Sequence, residues 1–212
     1  MDLIMLSLDT FFLFSTASLL LCLVPGPDNI FVLTQSMLRG VGSGIFVTLG
    51  LCTGLLVHTS AVALGVAVIF QQSLLAFTML KLCGAAYLLY LAWGAFRAGA
   101  SGLGAGKASI LNKAALYRRG IVMNITNPKV SIFFLAFLPQ FTNPSQGHLT
   151  AQLLQLGAIF IVCTLFVFGV VSLLAGRLGN WFNQSPKAEL IMNRVAGSVF
   201  AALAIKLSLT NR

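Results

Sequence analysis

The sequence predicts an all-α polytopic membrane protein, and three observations carry that prediction. The 212 residues are 58% hydrophobic and only 8% charged, with a mean hydropathy of +0.96, whereas soluble domains carry about 25% charged residues. Apolar windows of about 20 residues, the length that spans a hydrocarbon core, follow one another along the chain. The net charge is +9, but the bases gather in alternate connections instead of lining one face. That is a topology signal, and it excludes a nucleic-acid surface.

Six spans follow in order. The first runs over about residues 11–38 and contains L-V-P-G-P-D-N-I-F, in which Pro25, Gly26, Pro27 and Asp28 interrupt an apolar run. Each proline removes a backbone donor and clashes with the preceding turn, so the helix breaks there. The second and third spans cover about 42–70 and 74–96. A linker rich in Gly, Ala, Ser and Lys occupies about 97–116. Its G-L-G-A-G-K-A-S stretch is no phosphate-binding loop, because Ala108 stands where a hydroxyl must follow Lys107 and Ser101 replaces the first glycine. The fourth span covers about 120–141, the fifth 153–174 and the sixth 191–207. One membrane domain accounts for residues 1–212.

Arg39 lies in the first connection. Arg97, Lys107, Lys113, Arg118 and Arg119 lie in or beside the third, and Arg177 and Lys187 in the fifth. The second and fourth connections carry no Lys or Arg. The odd loops therefore face the cytoplasm and both termini face outward, with Lys206 and Arg212 counting mildly against it. The first nine residues hold Asp2 and Asp9 and no base, so no cleaved signal is expected. Cys22, Cys52, Cys83 and Cys163 all fall in apolar segments with no C-x-x-C pair, and read as buried structural thiols.

The chain also repeats itself. Met79-Leu80-Lys81-Leu82-Cys83-Gly84-Ala85-Ala86-Tyr87 and Met192-Asn193-Arg194-Val195-Ala196-Gly197-Ser198-Val199-Phe200 both read M-x-[KR]-x-x-G-x-x-[YF]. Span four supplies the counterpart of the first break in Thr126-Asn127-Pro128-Lys129-Val130. Two three-helix halves result, residues 1–97 and 118–212 around a linker at 98–117. Since three is odd, the second half enters the membrane inverted. Interrupted helices at corresponding positions of inverted halves point to a transporter's midplane site.

Depth agrees. Asp28 is eleven positions from Arg39, and Lys129 is ten from Arg119, so both lie about 15 Å in, near the middle of the core. A facing pair lowers the cost of burying each charge. The half-helix after Pro27, capped by Asp28 or Asn29, offers N–H groups to an anion. Unwound carbonyls before the break, with Asp28, suit an ammonium, and Asn127 and Lys129 add polar groups from the other half. Together these fit a zwitterionic amino acid; the alternative is a proline kink with Asp28 and Lys129 locked to each other. Lys81 is a further midspan base, or a snorkelling one. His58 is a candidate proton relay or a packing histidine. Gly50 and Gly54 form G-x-x-x-G, a close-packing face expected to make an internal contact.

P-G-P-D-N in span one, G-A-A-Y-L in span three and T-N-P-K in span four resemble the LysE/RhtB-type amino-acid exporters, over essentially the whole chain. The resemblance implies a bacterial inner-membrane carrier that expels amino acids by using the proton gradient. Within the family the homoserine/threonine branch is the nearest in pattern. It places the translocation site at Pro25, Gly26, Pro27, Asp28 and Asn29, with Asn127, Pro128 and Lys129. As the sole intramembrane carboxylate, Asp28 is the leading proton carrier. No cofactor or metal is expected; the partners are amino acid, protons and lipid, and a homo-oligomer is open. Two other classes compete. A thiol-disulfide carrier needs paired cysteines in the two halves, and span four has none. A metal exporter needs clustered ligands, and the chain has two histidines. No nucleophile–base constellation suggests an enzyme.

Overall fold

The computed structural model describes residues 6–24, 26–72, 74–97, 112–143, 148–175 and 186–209. Every predicted span falls on helix. α1 (Leu8–Leu23) starts at Ser7, whose hydroxyl accepts from the Thr10 N–H at 3.2 Å and satisfies one of the orphan donors of the first turn. α2 (Pro27–Arg39) follows after a bend of 61°. Gly40, at φ 82°, turns the chain directly into α3 (Val41–Gln72), a left-handed conformation that favours glycine. α4 (Leu74–Arg97) completes the first half.

α5 (Lys113–Ile125) begins upstream of its apolar window, because Asn112 Oδ1 caps it through the Ala115 N–H at 2.8 Å and Leu116 is buried. Two of its three bases lie over aromatic rings: Lys113 Nζ is 5.3 Å from the Phe46 ring and the Arg119 guanidinium 4.8 Å from that of Phe31. After a bend of 50° come α6 (Pro128–Ile132), a π-helical turn (Phe133–Phe137) and a 3-10 turn (Leu138–Phe141). Pro139 and Gln140 lie in this 3-10 turn, where the fourth predicted span ends. α7 (Leu149–Leu173) is anchored to it by Gln152, which accepts from Asn143 N–H and donates to Asn143 O. α8 (Pro186–Leu209) ends the described chain.

Two stretches, Val41–Gly65 and Leu149–Leu173, are each long and apolar enough to cross a membrane, and each bent pair qualifies when taken as one span. The bent pairs run antiparallel. Phe14 of α1 meets Phe141 at the end of the other pair, at 5.0 Å between rings, while Phe31 of α2 meets Arg119 in the middle of α5.

The α3–α5 crossing sets the register of these pairs. A Cβ on Gly50 would strike the Tyr117 carbonyl and one on Gly120 the Val47 carbonyl, so the two backbones touch. Gly54 abuts the Asn124 side chain. The G-x-x-x-G face is thus an internal contact, and Thr53 Oγ1 with Tyr117 OH at 2.8 Å closes it. Beyond the breaks, Phe14, Phe133, Phe134, Phe137, Phe141 and Phe160 pack ring on ring and are all buried. α4 lies along α8, with the Phe96 ring against Gly197. One expectation is corrected here. Cys22, Cys52 and Cys163 are buried, but Cys83 is exposed on the outer face of α4, and all four thiols are free.

Candidate functional site

At the first break Gly26, not Asp28 or Asn29, is the N-cap, with extended backbone (φ −167°, ψ 176°). Pro27 takes the first helical position, where its missing N–H costs nothing and its φ suits the helix. Asp28 therefore sits at the second position, near the positive end of the α2 dipole. At the second break Asn127 caps α6 through Lys129 N–H at 3.0 Å, Pro128 takes the first position, and Lys129 the second. The two prolines thus do the same local work, and each is followed by a charge of opposite sign. Pro25 lies outside the described residues, as does the Lys81 side chain.

The breaks meet in a buried polar centre. Asp28 is 4% exposed, Lys129 9%, Asn124 2% and Asn127 4%. Asn124 Nδ2 donates to Asp28 Oδ2 at 3.4 Å. The Asn127 amide lies beside the same carboxylate but outside hydrogen-bond geometry. Asp28 Oδ1, Asn29 Oδ1, Asn124 Oδ1 and Asn127 Nδ2 are all buried without a partner, a concentration of unmet polar capacity that ordinary cores avoid.

The facing charge pair expected from depth takes a different form. Lys129 shares the level of the first break, but its Nζ donates to the carbonyls of Leu21 at 3.3 Å and Val24 at 3.2 Å. Among the described residues no ion pair joins it to Asp28. The physical reason is the break itself. The last carbonyls of α1 lose their helical donors, and in an apolar medium each must find another. Asn29 Nδ2 takes the Cys22 carbonyl at 2.6 Å; Lys129, with three donors, takes those of Leu21 and Val24.

His58 is half-buried, its Nε2 3.1 Å from the Asn124 carbonyl and its ring 5.7 Å from that of Phe134. Asn124 thus lies between His58 and Asp28, touching one through its backbone and the other through its amide. Sequence reasoning missed Asn124, and also Gln35, which is buried two turns beyond Asp28 with Oε1 unpartnered. Both were visible as amides inside apolar windows. Arg194 is exposed on a mostly apolar crevice of about 540 Å³, with Leu13 and Leu20 of α1 among its walls; no residue of the breaks lines it.

Comparison with known proteins fits this geometry. The family model for LysE type translocators matches residues 19–211. The chain is 37% identical over 196 residues to a homoserine/homoserine lactone efflux protein of Salmonella typhimurium, covering 92% of this chain and 94% of that one. It is 32% identical to an uncharacterized membrane protein of Vibrio cholerae, covering 88% and 90% of the two chains. A leucine efflux protein of Salmonella choleraesuis is 25% identical, covering 90% and 91%. No solved structure matches. An acid and a base at two facing proline breaks are thus set in a chain that belongs to the LysE type translocator family.

Proposed function

We propose that the protein is a secondary active exporter of small neutral amino acids, homoserine- or threonine-like, across the bacterial inner membrane, with protons as the coupling ion. Membership of a translocator family makes it a carrier and not an enzyme. Export of amino acids is the activity named for the relatives at 37% and 25% identity. In this reading the six helical passes form two inverted halves, about 1–97 and 118–212 around the linker at 98–117, with both termini outside. The antiparallel course of the two bent pairs supports it. Several copies can assemble in the lipid without the site needing a partner.

The observation that carries the reading is Asp28, a carboxylate buried at one helix break against the polar groups of a second. A charge at the centre of a membrane helix costs about 2.5–3.5 kcal/mol, and intramembrane acids mark ion and substrate paths. The amino end of α2 suits the substrate carboxylate; Asp28 and the α1 carbonyls suit its ammonium. Gly26, Pro27, Asn29, Asn127, Pro128 and Lys129 complete the walls, and Pro25 and Lys81 belong to the same proposed path. Protonation of Asp28, with His58 as a second proton-coupling candidate, releases its hold on the cation and lets the halves rock. Uptake of radiolabelled amino acids into everted vesicles under an imposed proton gradient tests this. We expect homoserine or threonine to accumulate and the signal to collapse with the gradient. If no amino acid accumulates, the reading is wrong.

A further inference from the structure

The Leu21 and Val24 carbonyls form a seat for a primary ammonium, and the group already in that seat belongs to the protein. Building on the amino-acid reading above, we propose that the Lys129 ammonium is a tethered competitor of the substrate ammonium. It holds the seat when no amino acid does and leaves it when one binds.

Four observations converge on this. The chemistry is matched, for lysine and amino acid carry the same three-donor cation, and the seat is main-chain carbonyl at the negative end of the α1 dipole. It therefore reads the ammonium and not the side chain. Lys129 has no support from its own helix: at the second position of α6 a cation lies at the unfavourable end of the dipole. The seat also has built-in space. Lys129 Nζ is 3.3 Å from where a Gly26 Cβ would be, and the extended backbone of Gly26 is open to any residue. What the glycine leaves there is room beside the ammonium.

Last, the displaced lysine has a place to go. Asp28 Oδ1 is buried and unpartnered in the same centre. Moving Lys129 from carbonyls to carboxylate while a zwitterion enters exchanges one ammonium for another. The buried centre gains no net charge, which avoids the steep cost of an uncompensated ion. Substrate binding and the Asp28–Lys129 pairing are then one event, so the carrier reports occupancy of the seat to its second half directly.

The test uses the full chain, purified and reconstituted in lipid nanodiscs, with labelled L-homoserine and propylammonium as probes. Lys129→Met frees the seat, and homoserine should bind it about tenfold tighter than wild type, since no fraction of the protein is withheld by the tethered competitor. Propylammonium, which lacks a carboxylate, should bind Lys129→Met and not wild type. Lys129→Arg keeps the charge and grips both carbonyls, so homoserine binding should weaken about tenfold. If Lys129→Met does not fold, the sign of the arginine result decides alone. Unchanged or weaker binding by folded Lys129→Met, or unchanged or tighter binding by Lys129→Arg, overturns the proposal and makes the lysine a direct ligand or a strut. The parent reading fails separately: wild type and variants would bind no amino acid, while propylammonium could still distinguish Lys129→Met.

Discussion

The two proline breaks share a design and differ in how each is finished. The first has no side-chain cap and runs into 13 regular helical residues, with an acid at the second position. The second is capped by Asn127, holds only five α-helical residues before a π turn, and has a base at the second position. An acid there is favoured by the dipole of its own helix and a base is not. Asp28 accordingly stays with its helix, whereas Lys129 crosses to the carbonyl end of α1. Each break leans on the other: Lys129 takes the Leu21 and Val24 carbonyls of the first, and Asn124, just before the second, donates to Asp28. A centre assembled from like elements is therefore polarised, with one half supplying the anion and the acceptors and the other supplying the cation.

The largest effect should come from removing the acid. Asp28→Asn keeps the shape and the Asn124 contact but leaves Lys129 as an uncompensated buried cation. Losing one member of a buried charged set costs about 3–5 kcal/mol, so export should fall by two orders of magnitude or more. Normal export with normal pH dependence in vesicles would show that the charge is dispensable and the polarity unimportant. Next in size, Asn127→Ala makes the second break uncapped like the first. Loss of such a cap costs about 1 kcal/mol, measurable by thermal unfolding in detergent; no change would mean that packing alone fixes α6. The smallest is Gly26→Ala. The backbone accepts it, so stability should move by less than about 0.5 kcal/mol, yet the added methyl presses on the Lys129 ammonium at 3.3 Å. Homoserine efflux should drop several-fold at unchanged melting temperature, and equal efflux would remove Gly26 from the site.

Much of this architecture was legible because hydropathy integrates over a whole span. Twenty apolar residues outvote any local detail, and a proline cannot be accommodated silently in a helix. Gly50 and Gly54 likewise announced a close contact, and Gly120 and Asn124 turned out to be what they touch. What the residues did not disclose are targets. Lys129 is written in the chain, but the carbonyls of Leu21 and Val24 belong to every residue alike and become acceptors only when the helix opens. Cys83 lies in as apolar a window as Cys22, and the windows alone do not say which face meets a neighbour. The π turn has no proline or glycine within it to mark it.

The six-phenylalanine layer has an electrical meaning. Its rings carry no donor or acceptor, so they offer a chain of water nothing to hold it. A membrane potential is worth about 2.3 kcal/mol per unit charge per 100 mV, and a cell that leaks through its exporters loses it. Phe14, Phe133, Phe134, Phe137, Phe141 and Phe160 make this part of the protein an insulator as thin as a few side chains. An amino acid passing that way would have to part the rings, so the dielectric barrier would also be the door.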